Sequence, residues 1–537
     1  MHWKQISRFT LFIFGLLAIV YATASGWPQY GNLGGQQYTP LNQININNLN
    51  QLEEVWRFRT GDLGRGFKRK GHSMQANPIL WNGTLYVSTS ANWVVAIDAL
   101  TGTEQWRFDP ELPKDIGYSS SASRGVSIWH GNTQVCPSRI FLGTLIGELI
   151  ALDARTGKPC SDFGENGRID LSKGVGSVEL GEYSITSPPA ILGELVIVGS
   201  AIGDNRATNL ERGIVRALDA QSGSIKWLWD PIPKSPTDRA SVTWSSDSNL
   251  NTGAANAWAP LTADHSSGLI FVPTSSPSPD FFGGERLGDN LYSNSIVALD
   301  GSTGEVVWFQ QLVHHDVWDY DLPAQPTLTT IKRGSESHAA VVVVTKTGML
   351  FAFDRDTGKP IYEIEEKAVP QSKVSGEVTS PTQPFSTIAA LANQSPVTTK
   401  DAFGVIFFDK LSCRRQIRKF ESDGIFTPPS LEGIIMRPGY AGGSNWGGVA
   451  IDPDRQIAVT NVNEIPALVR LVPRVDLGRL KAEGKLKGWQ ITAQRGTPYY
   501  LARRIFLSPL NLPCTKPPWG ELVAVDLRSG KILWEEN

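Results

Sequence analysis

The stretch Ile296-Val297-Ala298-Leu299-Asp300-Gly301-Ser302-Thr303-Gly304-Glu305-Val306-Val307-Trp308 runs from an apolar segment through a polar turn into a second short segment that ends in an aromatic. Its skeleton, Ala-x-Asp-x-x-x-Gly, occurs six times: Ala96/Asp98/Gly102, Ala151/Asp153/Gly157, Ala217/Asp219/Gly223, Ala298/Asp300/Gly304, Ala352/Asp354/Gly358 and Ala524/Asp526/Gly530. Four residues beyond the glycine stands Trp106, Trp227, Trp308 or Trp534, with Tyr362 in one copy and Ser161 as the exception. Each copy reads as a β-hairpin, in which the Asp side chain accepts from turn amides and the Gly supplies a positive φ. The small Ala leaves room for a docked aromatic.

Successive aspartates lie 55, 66, 81, 54 and 172 residues apart. Such uneven spacing suits four-stranded blades with insertions better than the uniform short period of a solenoid. The fold class predicted is all-β, a propeller of about six complete blades. The last gap reads as irregular insertions, with Ser380 to Ser386 and Gly439 to Gly448 as long loops over one face. Upstream, Val55-Trp56-Arg57-Phe58 reads as an orphan outer strand of a blade whose inner strands come from the other chain end.

Acids and bases nearly balance at a net charge of -2 in 537 residues, which gives no electrostatic footprint for nucleic acid. Lys4 and Arg8 precede an apolar run from Phe9 to Val20, followed by Ala22-Thr23-Ala24. Residues 1–24 therefore read as a signal peptide, with an N-terminal anchor as the alternative, and 25–537 as the propeller domain. Membrane contact is expected only through that first segment, if it is retained. Four cysteines match no zinc spacing; Cys136 and Cys160 are the better disulfide pair, while Cys413 and Cys514 suit either a bridge or buried thiols.

The segment His314-His315-Asp316-Val317-Trp318-Asp319-Tyr320-Asp321-Leu322-Pro323 is dense in groups that move protons, bind metal or stack. Carboxylates this close repel unless a cation sits among them or some hold protons. By composition alone it reads as a solvated acidic loop.

The blade motifs together with "VHHDVWDYDLPAQPTL", "SPTQPF", "GIFTPPS", "NWGGVAIDP" and "LSPLNLPC" resemble, in order and spacing, the quinoprotein dehydrogenases that use pyrroloquinoline quinone (PQQ), and the membrane-type glucose dehydrogenase branch in particular. The likeness runs from Trp27 to the last residue. It implies an eight-bladed-type propeller from which this chain lacks most of two blades. By position it makes Asp319 the catalytic base and a metal ligand, with Asp316 a weaker candidate for the base. It makes Lys346 the lysine that hydrogen-bonds the quinone carbonyls and Trp258 the tryptophan under the cofactor ring. Asp204 and Ser278 fall at the other metal-ligand positions, Arg124 and Thr186 at positions that bind cofactor carboxylates, and Asn461 at a further cofactor or substrate contact. Taken singly, each of these reads as an ordinary core, turn or surface residue; their joint register is what points to a site.

The implied metal is calcium, with magnesium also compatible with hard oxygen ligands. The implied activity is oxidation of a sugar or polyol hydroxyl in the periplasm, with hydride passing to PQQ and electrons to a quinone or cytochrome acceptor. Ser120 and Gln75 stand where the glucose branch often carries a histidine and a carboxylate, so glucose, another aldose, a cyclic polyol and quinate all remain as substrates. Two other readings stay open: an inactive or split dehydrogenase, and a non-enzymatic propeller scaffold of the outer-membrane assembly type, which lacks the Asp-x-Trp-Asp loop.

Overall fold

A computed structural model describes residues 26–62, 74–245 and 247–537. The signal-peptide layout of residues 1–24 lies outside them. Each copy of the repeat turns at the end of a strand in its own antiparallel sheet, and each sheet takes the name of its turn aspartate. The Asp98 sheet runs Ile79–Trp81, Thr84–Ser88, Val94–Asp98, Glu104–Phe108. The Asp153, Asp219 and Asp300 sheets repeat this four-stranded order, and the Asp354 sheet has three strands. The Asp526 sheet is ordered Ala450–Asp452, Ile457–Asn463, Gly520–Asp526, Lys531–Glu536.

The turn chemistry is as the residues dictate. Asp300 Oδ1 accepts from the Ser302 and Thr303 amides, each at 2.9 Å. Gly304, at φ +75°, donates its amide to the Asp300 carbonyl at 2.8 Å. These bonds, that from the Ser302 hydroxyl foremost, hold the Asp300 carboxyl below its ordinary range.

All the aromatics but Trp534, which is exposed, dock on the turn of a following sheet. Trp106 Nε1 donates to Ala154 O at 3.0 Å, Trp227 Nε1 to Gly301 O at 2.8 Å and Trp308 Nε1 to Arg355 O at 3.0 Å. The Tyr362 hydroxyl donates to Leu527 O. The ring lies where a larger residue's side chain would be, since a Cβ on Gly304 would come within 2.6 Å of Trp227. Val55–Phe58, expected as an orphan strand, pairs with no strand among the described residues. Trp56 nevertheless docks on the first turn, donating to Ala99 O at 3.2 Å. Where Ser161 breaks the pattern, Ile169 and Phe163 pack against Gly223 instead.

The alternation of each strand sends neighbouring residues into different cores. Ile140 and Leu142 pack with the Asp98 sheet, whereas Phe141 packs with the Asp219 sheet. Ala217 faces the Asp300 sheet and Leu218 the Asp153 sheet. Val341 and Val343 pack against the Asp300 sheet, and Val342 and Val344 against the Asp526 sheet. Consecutive sheets thus stack face to face in chain order.

The 172-residue gap does not hold irregular insertions alone. After Ile457–Asn463 the chain leaves the Asp526 sheet and builds a further four-stranded sheet, Ile434–Met436, Ala467–Pro473, Tyr499–Ile505, Gln490–Thr492. It then returns at Gly520–Asp526, which pairs with Ile457–Asn463. Within the first of the expected loops, Thr382–Ser386 pairs with Ile364–Ala368. Both cysteine pairs are bridged, Cys136–Cys160 and Cys413–Cys514. The second fastens the helix Phe407–Ile417 to the turn that follows Tyr499–Ile505.

Candidate active site

Loops from several sheets, together with the inserted sheet, converge on a cavity of about 400 Å³ lined by Arg124, Thr186, Asp204, Trp258, Asp319 and Lys346. Six of the eight residues expected at the site therefore meet.

The loop that carries Asp319 is held by Asp316. Its carboxylate accepts from the Trp318 and Tyr320 amides, each at 3.0 Å, from Asn294 Nδ2 at 3.1 Å and from the Ser276 hydroxyl. Asp319 is thereby fixed at φ +62°. Alternation then divides the segment: Trp318 and Tyr320 enter the core and bond Thr427 O and Pro438 O at 2.7 and 2.8 Å, while Asp319 and Asp321 face the cavity. Asp316, the weaker candidate for the base, is fully engaged in this scaffold and is absent from the cavity wall.

Lys346 sits in the turn between Glu336–Val344 and Leu350–Asp354. Its ammonium donates to Asp319 Oδ1 at 2.6 Å, Asp319 O at 2.8 Å and Asp321 Oδ2 at 3.0 Å, which uses all three donors. Burial opposes the charge, but Asp319 and Asp321 outweigh it and raise the ammonium above its ordinary value. Gly442, at φ +83°, lets the Gly439–Gly448 loop lie against this lysine: a Cβ there would come within 2.5 Å of the Lys346 side chain.

Arg124 rests 4.8 Å over the Trp258 ring and donates to Thr186 Oγ1 at 2.8 Å. Burial lowers its pKa to about 10, opposed by Tyr30. Its Nε, buried, has no partner among the described residues. Trp258 Nε1 donates to Asp321 Oδ2 at 2.9 Å, so the indole plane is tied to the acidic loop.

Asp204, Asp280 and Asp319 each present a carboxylate oxygen within 4.8 Å of the others. Asn205 Nδ2 bridges two of them, at 3.1 Å from Asp204 and 2.6 Å from Asp280. Burial pushes the Asp280 carboxyl well above its ordinary range, and Asp204 and Asp319 push it further. The Asp319 carboxyl is likewise raised by burial, with Lys346 working against the rise and Asp321 for it. Converging acids of this kind call for a cation or shared protons.

Two expected residues fall elsewhere. Ser278, expected as a metal ligand, turns its hydroxyl to Thr208 O at 2.6 Å and does not line the cavity; the oxygen donor from that segment is Asp280, two residues on. Asn461 is exposed on Ile457–Asn463 and lines a separate open depression with Trp519 and Leu522, because the ladder to Gly520–Asp526 carries its side chain away from the cavity. Sequence reasoning missed Asp280, Asp321 and Arg503. Asp321 is the i+2 neighbour of Asp319 and so shares its face. Arg503 comes from Tyr499–Ile505 of the unforeseen sheet. Its guanidinium stacks 4.5 Å from the Tyr440 ring and lies 3.5 Å from Asp319 Oδ2.

Separate antiparallel sheets stacked in chain order around a cavity of acids, a lysine and a tryptophan define the β-propeller class. Over residues 27–537 the sequence matches the family described as PQQ glucose/ethanol/alcohol dehydrogenase, β-propeller domain. The chain belongs to that family. It is 36% identical to quinoprotein glucose dehydrogenase A of Acinetobacter calcoaceticus, over 97% of this chain and 67% of that protein. It is 35% identical to the quinoprotein glucose dehydrogenase of Escherichia coli K12 (95% and 65%) and 33% to the quinate/shikimate dehydrogenase (quinone) of Acinetobacter baylyi (95% and 65%). Among solved structures, the quinohemoprotein alcohol dehydrogenase from Comamonas testosteroni superposes with a TM-score of 0.67 at 25% identity, over 97% of this chain and 68% of that one. The chain thus spans about two thirds of the length of these relatives.

Proposed function

We propose that this chain is a PQQ-dependent dehydrogenase that oxidises a hydroxyl of a sugar or polyol, with Asp319 as base and a divalent cation among Asp204, Asp280 and Asp319. The observation that supports this most directly is the convergence of three carboxylates, Lys346, Arg124 and Trp258 on one cavity. The residues fit the cofactor. A buried Arg124 Nε with no partner among the described residues, beside the Thr186 hydroxyl, suits a carboxylate of the quinone, and the flat indole suits its ring. Hard oxygen donors suit calcium, with magnesium as the second choice.

Bound there, PQQ supplies the hydride acceptor and the cation supplies Lewis acidity. The protein's own part is proton management and placement. Asp319 takes the substrate hydroxyl proton on its carboxylate, whose remaining oxygen Lys346 holds in position. Lys346 also offsets the charge of Asp321, keeping the acidic loop from collapsing toward a shared proton. Arg503, Gln490 and Thr492 add polar groups to the wall, which fits a substrate with several hydroxyls. We assign residues 1–24 to an export leader, 25–537 to the propeller domain, and a quinone or cytochrome as electron acceptor in the periplasm.

The test is reconstitution of the purified protein with PQQ and calcium, read by absorbance titration and by dye-linked turnover on aldoses, polyols and quinate. Cofactor binding with turnover on one of these classes is expected. Binding without turnover on any would place the chain with inactive or split dehydrogenases, and no binding at all would return it to the scaffold reading.

A further inference from the structure

The helix Phe407–Ile417 buries Asp409, Cys413 and Ile417, a stripe at i, i+4 and i+8 that fixes which side faces inward. On the opposite side Phe407, Phe408, Arg414 and Arg415 are exposed, with Leu411 between them half-buried. At its start, Val405, Ile406, Phe407 and Phe408 are 63%, 53%, 73% and 75% exposed, four large apolar side chains in succession. At its far end Arg414, Arg415, Arg418 and Lys419 are exposed on the same side, and none of them forms an ion pair among the described residues. The one acid of the helix, Asp409, points inward and does not offset them.

This face is rigidly mounted. The Cys413–Cys514 bridge holds the helix, Phe403 N donates to Cys514 O at 2.8 Å and Lys516 N to Asp401 O at 2.9 Å. Basic residues near a helix C-terminus favour the helix dipole, which accounts for part of the cationic end. It does not account for two adjacent phenylalanines in water. Contiguous apolar surface of this kind marks a docking site.

We infer that this face docks on a bilayer containing anionic phospholipid, with the helix lying along the surface. Val405–Phe408 then enter the boundary between headgroups and acyl chains, and the four cations meet lipid phosphates. Charge decides for lipid over a second copy of the chain, because two such faces would set four unpaired cations against four. The chain as a whole carries a net charge of -2, so the segregation of positive charge on this helix is local. The surface is separate from the cavity, and the inference does not rest on the dehydrogenase reading.

The test uses the full chain with Phe408→Cys labelled by an environment-sensitive fluorophore, mixed with vesicles of phosphatidylcholine alone or in equal parts with phosphatidylglycerol. A blue shift with the anionic vesicles is expected, weakened by salt. Adding Arg414→Gln, Arg415→Gln, Arg418→Gln and Lys419→Gln together should lower the vesicle affinity of the labelled site by at least about tenfold. Separately, Phe407→Ser with Phe408→Ser in unlabelled protein should reduce flotation while leaving the thermal midpoint unchanged, since both side chains are solvent-exposed. Flotation without any shift of the label would locate membrane contact in another segment and overturn the inference. A shift that depends on protein concentration without vesicles would identify a second copy as the occupant and overturn it equally.

Discussion

Asp280 and Asp319 are both pushed well toward the protonated form, mainly by burial. A carboxyl whose folded value is raised favours the folded state fully below its unfolded value, and that advantage is lost as pH rises through the folded one. Asp280→Asn removes this loss. In the cation-free protein, the thermal midpoint of Asp280→Asn should therefore gain on the parent as pH rises from about 4 to 7. Calcium should raise the midpoint of the parent and leave that of Asp280→Asn almost unmoved, which scanning calorimetry checks. For Asp319→Asn, turnover should fall by about 10²–10⁴-fold while PQQ still binds by absorbance titration. Equal loss of binding and turnover would mean that Asp319 holds the site together without acting as base.

Within a sheet, the telling feature is the aromatic that reaches the next turn. Gly304 has φ +75° and almost no space between its α-carbon and Trp227. Gly304→Ala should destabilise by about 2–4 kcal/mol in denaturant unfolding, from the left-handed backbone and the displaced ring together. The Cys413–Cys514 bridge, which spans 101 residues, makes a parallel case. Cys413→Ser with Cys514→Ser should cost about 2–5 kcal/mol and leave PQQ titration unchanged, because the bridge contacts no cavity residue. Hairpins of this sort were legible because turn, aspartate and glycine are local. The inserted sheet was not: Tyr499–Ile505 carries Arg503 and Arg504, has no Ala-x-Asp mark, and pairs with Ala467–Pro473 across a connection of its own. Its existence depends on partners that no window of sequence contains.

Across the whole molecule, stacked sheets bring Arg124, Asp204, Trp258, Asp319 and Lys346 to one cavity, and the inserted sheet closes the wall with Arg503. Arg503 lines the cavity at 3.5 Å from Asp319 Oδ2 and is stacked on Tyr440. Arg503→Gln should raise KM for the preferred substrate by about tenfold or more and change kcat less, in steady-state assays across aldoses, polyols and quinate. Equal falls in kcat and kcat/KM would instead make it part of the proton-transfer apparatus. The repeat was determined by the chain alone, because hairpin turns are set by neighbours in sequence; the candidate site residues stood out only through their joint register with the family, and the acidic loop, solvated by composition, is buried in the fold. Which oxygen completes the carboxylate group, Asp280 in place of Ser278, was decided only by the tertiary structure. So were the displacement of Asn461 to an outer depression and the entry of Arg503. Side-chain direction at a strand end or loop depends on register against a partner strand, and register is a property of the assembled sheets.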